Sequence, residues 1–274
     1  MQSSHVDITK KSAYVDAHIH LDTYSGAAQA AIIQLLEDDT LPLDYVVAVS
    51  MGLKSSQATQ AWARRYPQRV LPAYGFHPEQ ALPTDAEVAE LLAWMDVHQA
   101  EMAAVGEVGL PYYEREAAAK QGNVFSREPY VELLEQFVQR AAAWNKPIVL
   151  HAVYDDAPLV CDLLERHNVR KAHFHWFKGD ADTVERMAAN GYFISFTPDI
   201  TYEEDIQALA RRYPITQVMT ETDGPWPFEG EFTGTVTVPT MVRDVAAYWA
   251  RLQRITEQEA AVLLRENARC CYGY

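Results

Sequence analysis

The sequence predicts an α/β fold: a (β/α)8 barrel of the TIM type, running as a single domain over residues 1–274. Three observations carry that prediction. Short apolar runs of β type alternate with helical patterns along the whole chain, with no Gly/Ser linker or low-complexity block to divide it. The runs number eight. Several of them close on a histidine or a carboxylate, and the C-terminal ends of barrel strands are where active sites are built. A Rossmann-type sheet would require a Gly-rich turn after the first strand, and that place holds His20-Leu21-Asp22-Thr23-Tyr24.

The first strand, Ala13–His20, ends in two histidines at i and i+2. Residues two apart on a strand share a face, so His18 and His20 aim two imidazoles at one spot. Alone, such a pair suits surface or core histidines as well as metal ligands. The second and third strands, Tyr45–Met51 and Val70–Phe76, lead to Gly75-Phe76-His77-Pro78, which brings His77 to the rim. The helix that follows is marked by Val88, Leu91, Leu92 and Met95 at helical spacing.

The fourth strand, Met102–Leu110, contains Glu107 between Gly106 and Gly109. A carboxylate in an apolar strand is costly to bury unless it is ion-paired or coordinated, and the flanking glycines permit close approach to the backbone. A loop is expected from Tyr112 to Ser126, then a helix through Val131, Leu134, Val138 and Ala141. The fifth strand, Pro147–Val153, carries His151.

The sixth, Lys171–Phe177, offers His175 near its end, with His173 one layer deeper as a hydrogen-bonded histidine supporting the site from behind. The seventh is Tyr192–Thr197, followed by a solvated helix start at Tyr202, Glu203 and Glu204. The eighth, Gln217–Asp223, places Asp223 at the strand-to-loop junction before Pro225, with Glu221 one layer down. Met241, Val245, Tyr248 and Leu252 mark another helix, and Thr256 with Glu259 forms a capping box for the last.

Together, His18, His20, Glu107, His151, His175 and Asp223 supply at least three groups to each of two metals if Glu107 bridges. Mixed imidazole and carboxylate ligands suit Zn, Mn or Fe, with Mg possible where waters complete the shell. His77 is then left for substrate contact or for support of a ligand. Lys178, beside His175, is a candidate phosphate or oxyanion contact, against the alternative of a solvated surface lysine. Tyr112, Tyr113, Trp226, Phe228 and Phe232 are placed to stack on a base or sugar, although rim aromatics also pack loops against each other. His5, His98 and His167 read as surface residues.

The bulk composition bounds the setting. Hydrophobic residues make up 49% of the chain and charged residues 22%, a globular balance. The three cysteines, Cys161, Cys270 and Cys271, form no disulfide framework, which points to a reducing compartment. Met1–Lys11 has no apolar signal-type core and no apolar run is long enough to span a bilayer, so a cytoplasmic protein without membrane association is expected. A net charge of −15, from 23 basic and 38 acidic residues, argues against a stable nucleic-acid complex. It leaves room for an enzyme that visits DNA ends or takes a small phosphoester.

The ordered set of motifs resembles the TatD family of metal-dependent hydrolases. The resemblance runs from Asp16-Ala17-His18-Ile19-His20-Leu21-Asp22 through Gly75-Phe76-His77-Pro78, Val105-Gly106-Glu107-Val108-Gly109-Leu110 and Pro147-Ile148-Val149-Leu150-His151. It continues in His175-Trp176-Phe177-Lys178-Gly179 and Glu221-Thr222-Asp223-Gly224-Pro225. It implies a distorted barrel with one or two divalent ions. His18, His20 and Asp223 would match one metal site and His151 and His175 the other, with Glu107 bridging. It also implies DNase-like, exonucleolytic phosphodiester hydrolysis, typically Mg-dependent, by a metal-activated hydroxide, with Asp223 orienting or deprotonating the nucleophile.

Three departures from the family pattern bear on substrate. Pro111 stands where an Asp usually follows the strand-four motif. Ala152-Val153-Tyr154-Asp155-Asp156 replaces the arginine usual after the strand-five histidine. The loop after Asp223 runs Trp226-Pro227-Phe228-Glu229-Gly230-Glu231-Phe232-Thr233-Gly234-Thr235 in place of a basic, Asn-Glu-Pro-containing loop. Arginines and basic loops position phosphate oxygens. Two alternatives therefore stand beside the nuclease: an amide or ester hydrolase acting on a small molecule, and a non-catalytic metal-holding protein.

Overall fold

The computed structural model describes residues 13–274, so Met1–Lys11 and His5 lie outside the described residues. All eight predicted strands are present: β1 Tyr14–Ile19, β2 Leu43–Ala48, β3 Val70–Tyr74, β4 Ala104–Gly109, β5 Ile148–His151, β6 Ala172–Phe174, β7 Phe193–Phe196 and β8 Val218–Thr220. Each pairs in parallel with the next, in the order β1 to β8. Ten helices connect or follow them: α1 Gly26–Glu37, α2 Leu53–Arg65, α3 Asp85–His98, α4 Tyr112–Lys120, α5 Glu128–Trp144, α6 Ala157–Arg166, α7 Ala181–Ala189, α8 Glu204–Arg212, α9 Val242–Gln253 and α10 Glu257–Tyr272.

The seam between β1 and β8 is where the barrel departs from regularity. One isolated parallel bridge, Ile19 to Gly224, joins the two edges. Side chains also stitch the seam: Thr220 Oγ1 donates to the Val15 carbonyl (2.9 Å), and the Asp16 carboxylate accepts from the backbone N–H (2.9 Å) and hydroxyl (2.5 Å) of Thr222. Beyond β8, the N–H of Asp223 donates to the His18 carbonyl (2.9 Å). These are the marks of a distorted (β/α)8 barrel.

Inside the barrel, Val15, Ala17, Tyr45, Val47, Val49, Leu71, Ala73, Ala104, Val149, Phe193 and Met219 form one cluster, which α10 completes with Ala268, Cys271 and Tyr272. Outside, the other strand faces pack on the helices, with Phe137, Val138, Leu164, Met187 and Trp249 buried in a continuous layer. The helix patterns foreseen around Leu91, Leu134 and Val245 bury those residues, and the Thr256–Glu259 capping box is formed.

Several boundaries differ from expectation. Strands β6 and β8 are three residues each, so His175 and Asp223 lie just beyond strand ends, as does His20 after β1. The segment expected as a loop from Tyr112 to Ser126 is helical over Tyr112–Lys120. Tyr-Tyr-Glu-Arg-Glu-Ala-Ala-Ala-Lys has the Ala, Glu and Lys content of a helix but buries no residue fully, so it lacks the apolar stripe by which a helix is usually read. Among the described residues, no helix is long and apolar enough to cross a membrane.

Candidate metal centre

Glu107 is the hub. It is fully buried, and five imidazoles surround its two carboxylate oxygens. Oε2 lies 3.1 Å from His18 Nε2 and 3.2 Å from His20 Nε2, both of which are 3.4–3.5 Å from Asp223 Oδ1. Oε1 lies 2.7 Å from His175 Nε2, 3.0 Å from His151 Nδ1 and 3.4 Å from His77 Nε2. The two halves of the carboxylate thus face two different ligand groups, His18/His20/Asp223 on one side and His151/His175 on the other.

The strand pleat explains the convergence. His18 and His20 flank Ile19 and share a face, and β4 brings Glu107 up between them and β5. Gly109 is required there, because a Cβ at that position would collide with the carbonyl of His151. A Cβ on Gly106 would press on Val149. The close approach that the glycines permit is therefore that of the neighbouring strand β5. At the far end, Asp223 and Trp176 both adopt left-handed backbone conformations, with φ of 48° and 40°. Each follows a strand end, where such strain is commonly held by surrounding packing.

The electrostatics follow from burial and crowding. Burial pushes Glu107 up, but His175, His77 and His18 outweigh it and hold its carboxyl well below the ordinary value. Burial lowers His18 strongly, and its neighbour His175, stacked at 3.8 Å between ring centroids, lowers it further. For His20, His151 and His175, burial is overcome by the carboxylates around them, and all three are raised. Asp223 is pushed up to about 7 by burial, against the pull of His175 and His20.

The donor atoms fit divalent ions. Ligands about 2.1 Å from a tetrahedral ion stand about 3.4 Å apart, close to the separations around Asp223, His18 and His20. Both ring nitrogens of His18 and Oε2 of Glu107 are buried without a hydrogen-bond partner. Buried polar groups rarely stay unpaired unless something else satisfies them.

The tautomer of His77 can be assigned from its partners. The backbone N–H of Glu79 donates to His77 Nδ1 (3.1 Å), so the neutral ring carries its proton on Nε2, facing Glu107. His77 is thereby placed to donate a hydrogen bond to Glu107. His173, as foreseen, is fully buried below it, bonded to Ser195 Oγ and to Tyr272 Oη at 2.6 Å each. Glu221 accepts from the N–H of Trp176 (2.7 Å) and lies 3.8 Å from His175 Nδ1.

The other expected contacts divide. Lys178 stays at the rim, 3.9 Å from Asp199 and 5.3 Å over the Trp176 ring. Trp226 is 56% exposed beside Trp176, whereas Phe228 and Phe232 are buried in loop packing. Tyr112 does not approach the centre: its ring lies against Tyr154 and beneath Arg115. The adjacent Tyr113 is the one that faces inward, its ring 6.0 Å from His151. Successive helical residues point about 100° apart, and reading 112–126 as a loop hid which of the two would turn in.

Two carboxylates near the site, one buried and one half-buried, escaped sequence reasoning. Asp199 accepts from the Trp176 indole and the Thr197 hydroxyl (2.5 Å each), and burial raises it to about 6. Glu79 binds His151 Nε2. A carboxylate two residues after His77, in a segment already placed at the rim, was the available signal for Glu79. Of the residues read as surface histidines, His98 bonds the Trp94 carbonyl and His167 bonds Glu135.

Comparison with known proteins agrees with this architecture. The family model described as "TatD related DNase" matches residues 15–273. A relative from Haemophilus influenzae, described as an uncharacterized metal-dependent hydrolase, is 38% identical over 221 residues, covering 78% of this chain and 82% of the relative. The human protein named Deoxyribonuclease TATDN3 is 26% identical over 271 residues, covering 93% and 92%. The crystal structure of YjjV, a TatD homologue from Escherichia coli, superposes with a TM-score of 0.81 at 22% identity, covering 97% of this chain and all 100% of that one, which bears on the fold. A barrel closing two ligand groups around one buried glutamate, with a family match across nearly the whole chain, leads to one conclusion: the chain belongs to the TatD family of metal-dependent hydrolases.

Proposed function

We propose that this hydrolase cleaves phosphodiester bonds, acting on DNA ends or on small phosphoesters, and that His18, His20, Glu107, His151, His175 and Asp223 would hold the one or two divalent ions it needs. The observation that carries the reading is the Glu107 carboxylate, one oxygen facing each ligand group. The family model's description and the name of the human relative support the nuclease class. Four imidazoles against two carboxylates favour Zn or Mn over Mg.

When bound, the ions supply Lewis acidity toward the phosphoryl oxygen and lower the pKa of an attacking water. The chain's own groups do the rest. Asp223 offers Oδ1 to the His18/His20 side and keeps its second oxygen to take the water's proton. His77 Nε2–H donates into the site, and Tyr113 and Trp226 border the mouth as stacking surfaces for a base or sugar.

A second reading, hydrolysis of a small amide or ester, has its own support. The arginines nearest the mouth are committed elsewhere: Arg115 pairs with Asp155 (2.5 Å) and Arg127 with Asp156 (2.8 Å). The test is hydrolysis of single-stranded DNA and of bis-(p-nitrophenyl) phosphate by stripped protein refilled with Mg, Mn or Zn. The nuclease reading expects both to be cleaved and both activities to be lost in His151→Ala and Asp223→Asn. Cleavage of neither substrate under any metal would sink phosphodiester hydrolysis and move the search to esters and amides.

A further inference from the structure

The His151 imidazole is gripped from both sides. Its Nδ1 lies 3.0 Å from Glu107 Oε1 and 3.3 Å from His175 Nε2, inside the ligand group. Its Nε2 lies 3.1 Å from Glu79 Oε1, outside it. Glu79 in turn is fixed by helix α4: the backbone N–H of Tyr113 donates to Oε1 and that of Glu114 to Oε2, each at 2.8 Å. These are first-turn groups of α4, which have no carbonyl partner within their own helix.

We infer that Glu79 is a positioning residue that holds His151 as its Nε2–H tautomer, aims Nδ1 at the metal, and ties the start of α4 to the centre. An imidazole has one proton when neutral. With Nε2–H donating to the Glu79 carboxylate, the Nδ1 lone pair is free to face Glu107 and His175. A carboxylate behind a metal-ligating histidine also raises the basicity of the ligating nitrogen. Oε1 and Oε2 each accept a backbone N–H of α4, while Oε1 also faces His151 Nε2. Because the same carboxylate anchors Tyr113, whose ring faces His151, a mouth residue and a ligand share one support.

The inference rests on the metal-centre reading above, and its test separates the two. Stripped wild type, Glu79→Ala and Glu79→Gln are titrated with Zn, following heat release and stoichiometry. Glu79→Ala is expected to weaken one binding step by roughly 10–100-fold and leave the other as in wild type. Glu79→Gln keeps an amide oxygen where Oε1 serves both His151 and Tyr113, and loses only the acceptor for Glu114. It should recover most of the affinity while losing only the Glu114 half of the α4 cap. A purely structural Glu79 predicts no such split between the two variants.

The second measurement needs no variant at Glu79: 15N spectra of histidine-labelled, Zn-loaded wild type, with the His151 signals assigned by their loss in His151→Asn. A proton on His151 Nε2 is expected. Equal weakening of both steps, unchanged affinity in Glu79→Ala, or a proton on Nδ1 would overturn the inference. No Zn uptake by wild type would overturn the metal centre itself and the inference with it.

Discussion

Asp199 illustrates what burial does to a single residue here. It is 2% exposed, accepts bonds from Trp176 and Thr197, and has Lys178 at 3.9 Å, yet burial still raises it to about 6. A carboxyl raised in the folded state stabilises fully below its unfolded value of about 3.9 and loses that contribution as pH rises through about 6. The stability of wild type relative to Asp199→Asn should therefore fall between pH 5 and 7.5, by on the order of 1 kcal/mol. Urea unfolding of both proteins in chelator measures it, since other titrations cancel in the difference. A flat difference across that window would mean Asp199 is ionised throughout. At the same scale, the candidate ligand side chains were legible as types, because each closes an apolar run or, for Glu107, interrupts one. Glu79 was not, because only the fold brings position 79 beside position 151.

At the scale of the element, the helices named by spacing are those that bury a stripe. Helix α5 puts Tyr130, Leu133, Leu134, Phe137, Val138 and Ala141 on its inner face, and the pattern predicted it. Helix α4 has no such stripe; its start is held by the Glu79 carboxylate, a tertiary contact with no local signature. Helix α10 is fixed locally as well as by packing. Thr256 Oγ1 accepts from the N–H of Glu259, whose carboxylate accepts from the N–H of Thr256. Thr256→Ala should cost about 1 kcal/mol, seen as a lower urea midpoint with unchanged slope. No loss would mean that Tyr272 and Cys271 alone seat the helix. Strand existence was readable in every case, but strand ends were not: β6 stops at Phe174, and two residues on, the Trp176 N–H turns to the Glu221 carboxylate.

For the whole molecule, the cost of the centre is electrostatic. A buried glutamate ringed by five imidazoles is assembled by the fold, and metal binding offsets the strain of holding those groups together. An ion present at about 100 times its Kd stabilises the folded state by about 2.7 kcal/mol. For a chain of this size that corresponds to a rise in Tm of roughly 5–10 °C per ion. Thermal unfolding in chelator and in excess Zn should differ by at least that much, and His175→Ala should lose part of the gain. Equal Tm values in the two buffers would mean that the ligand groups do not hold ions in solution. The net charge of −15 is a property of the same scale, and it makes the mouth a poor attractor of polyanions unless bound cations reverse the local field.

The sequence by itself determined the barrel, the number of its strands and the chemical kind of its centre. Those follow from local facts: an apolar run makes a strand, the period of two fixes which residues share a face, and parallel strands joined by helices bring their C-terminal ends to one rim. Only the tertiary structure decided how the groups pair. It set which Glu107 oxygen meets which histidines, which nitrogen of His151 faces inward, and whether Tyr112 or Tyr113 turns to the site. It also added side-chain bonds through Asp16 to the few backbone contacts of the β1–β8 seam. These depend on distances between residues up to about two hundred positions apart, here between 16 and 222, and no local propensity encodes such distances.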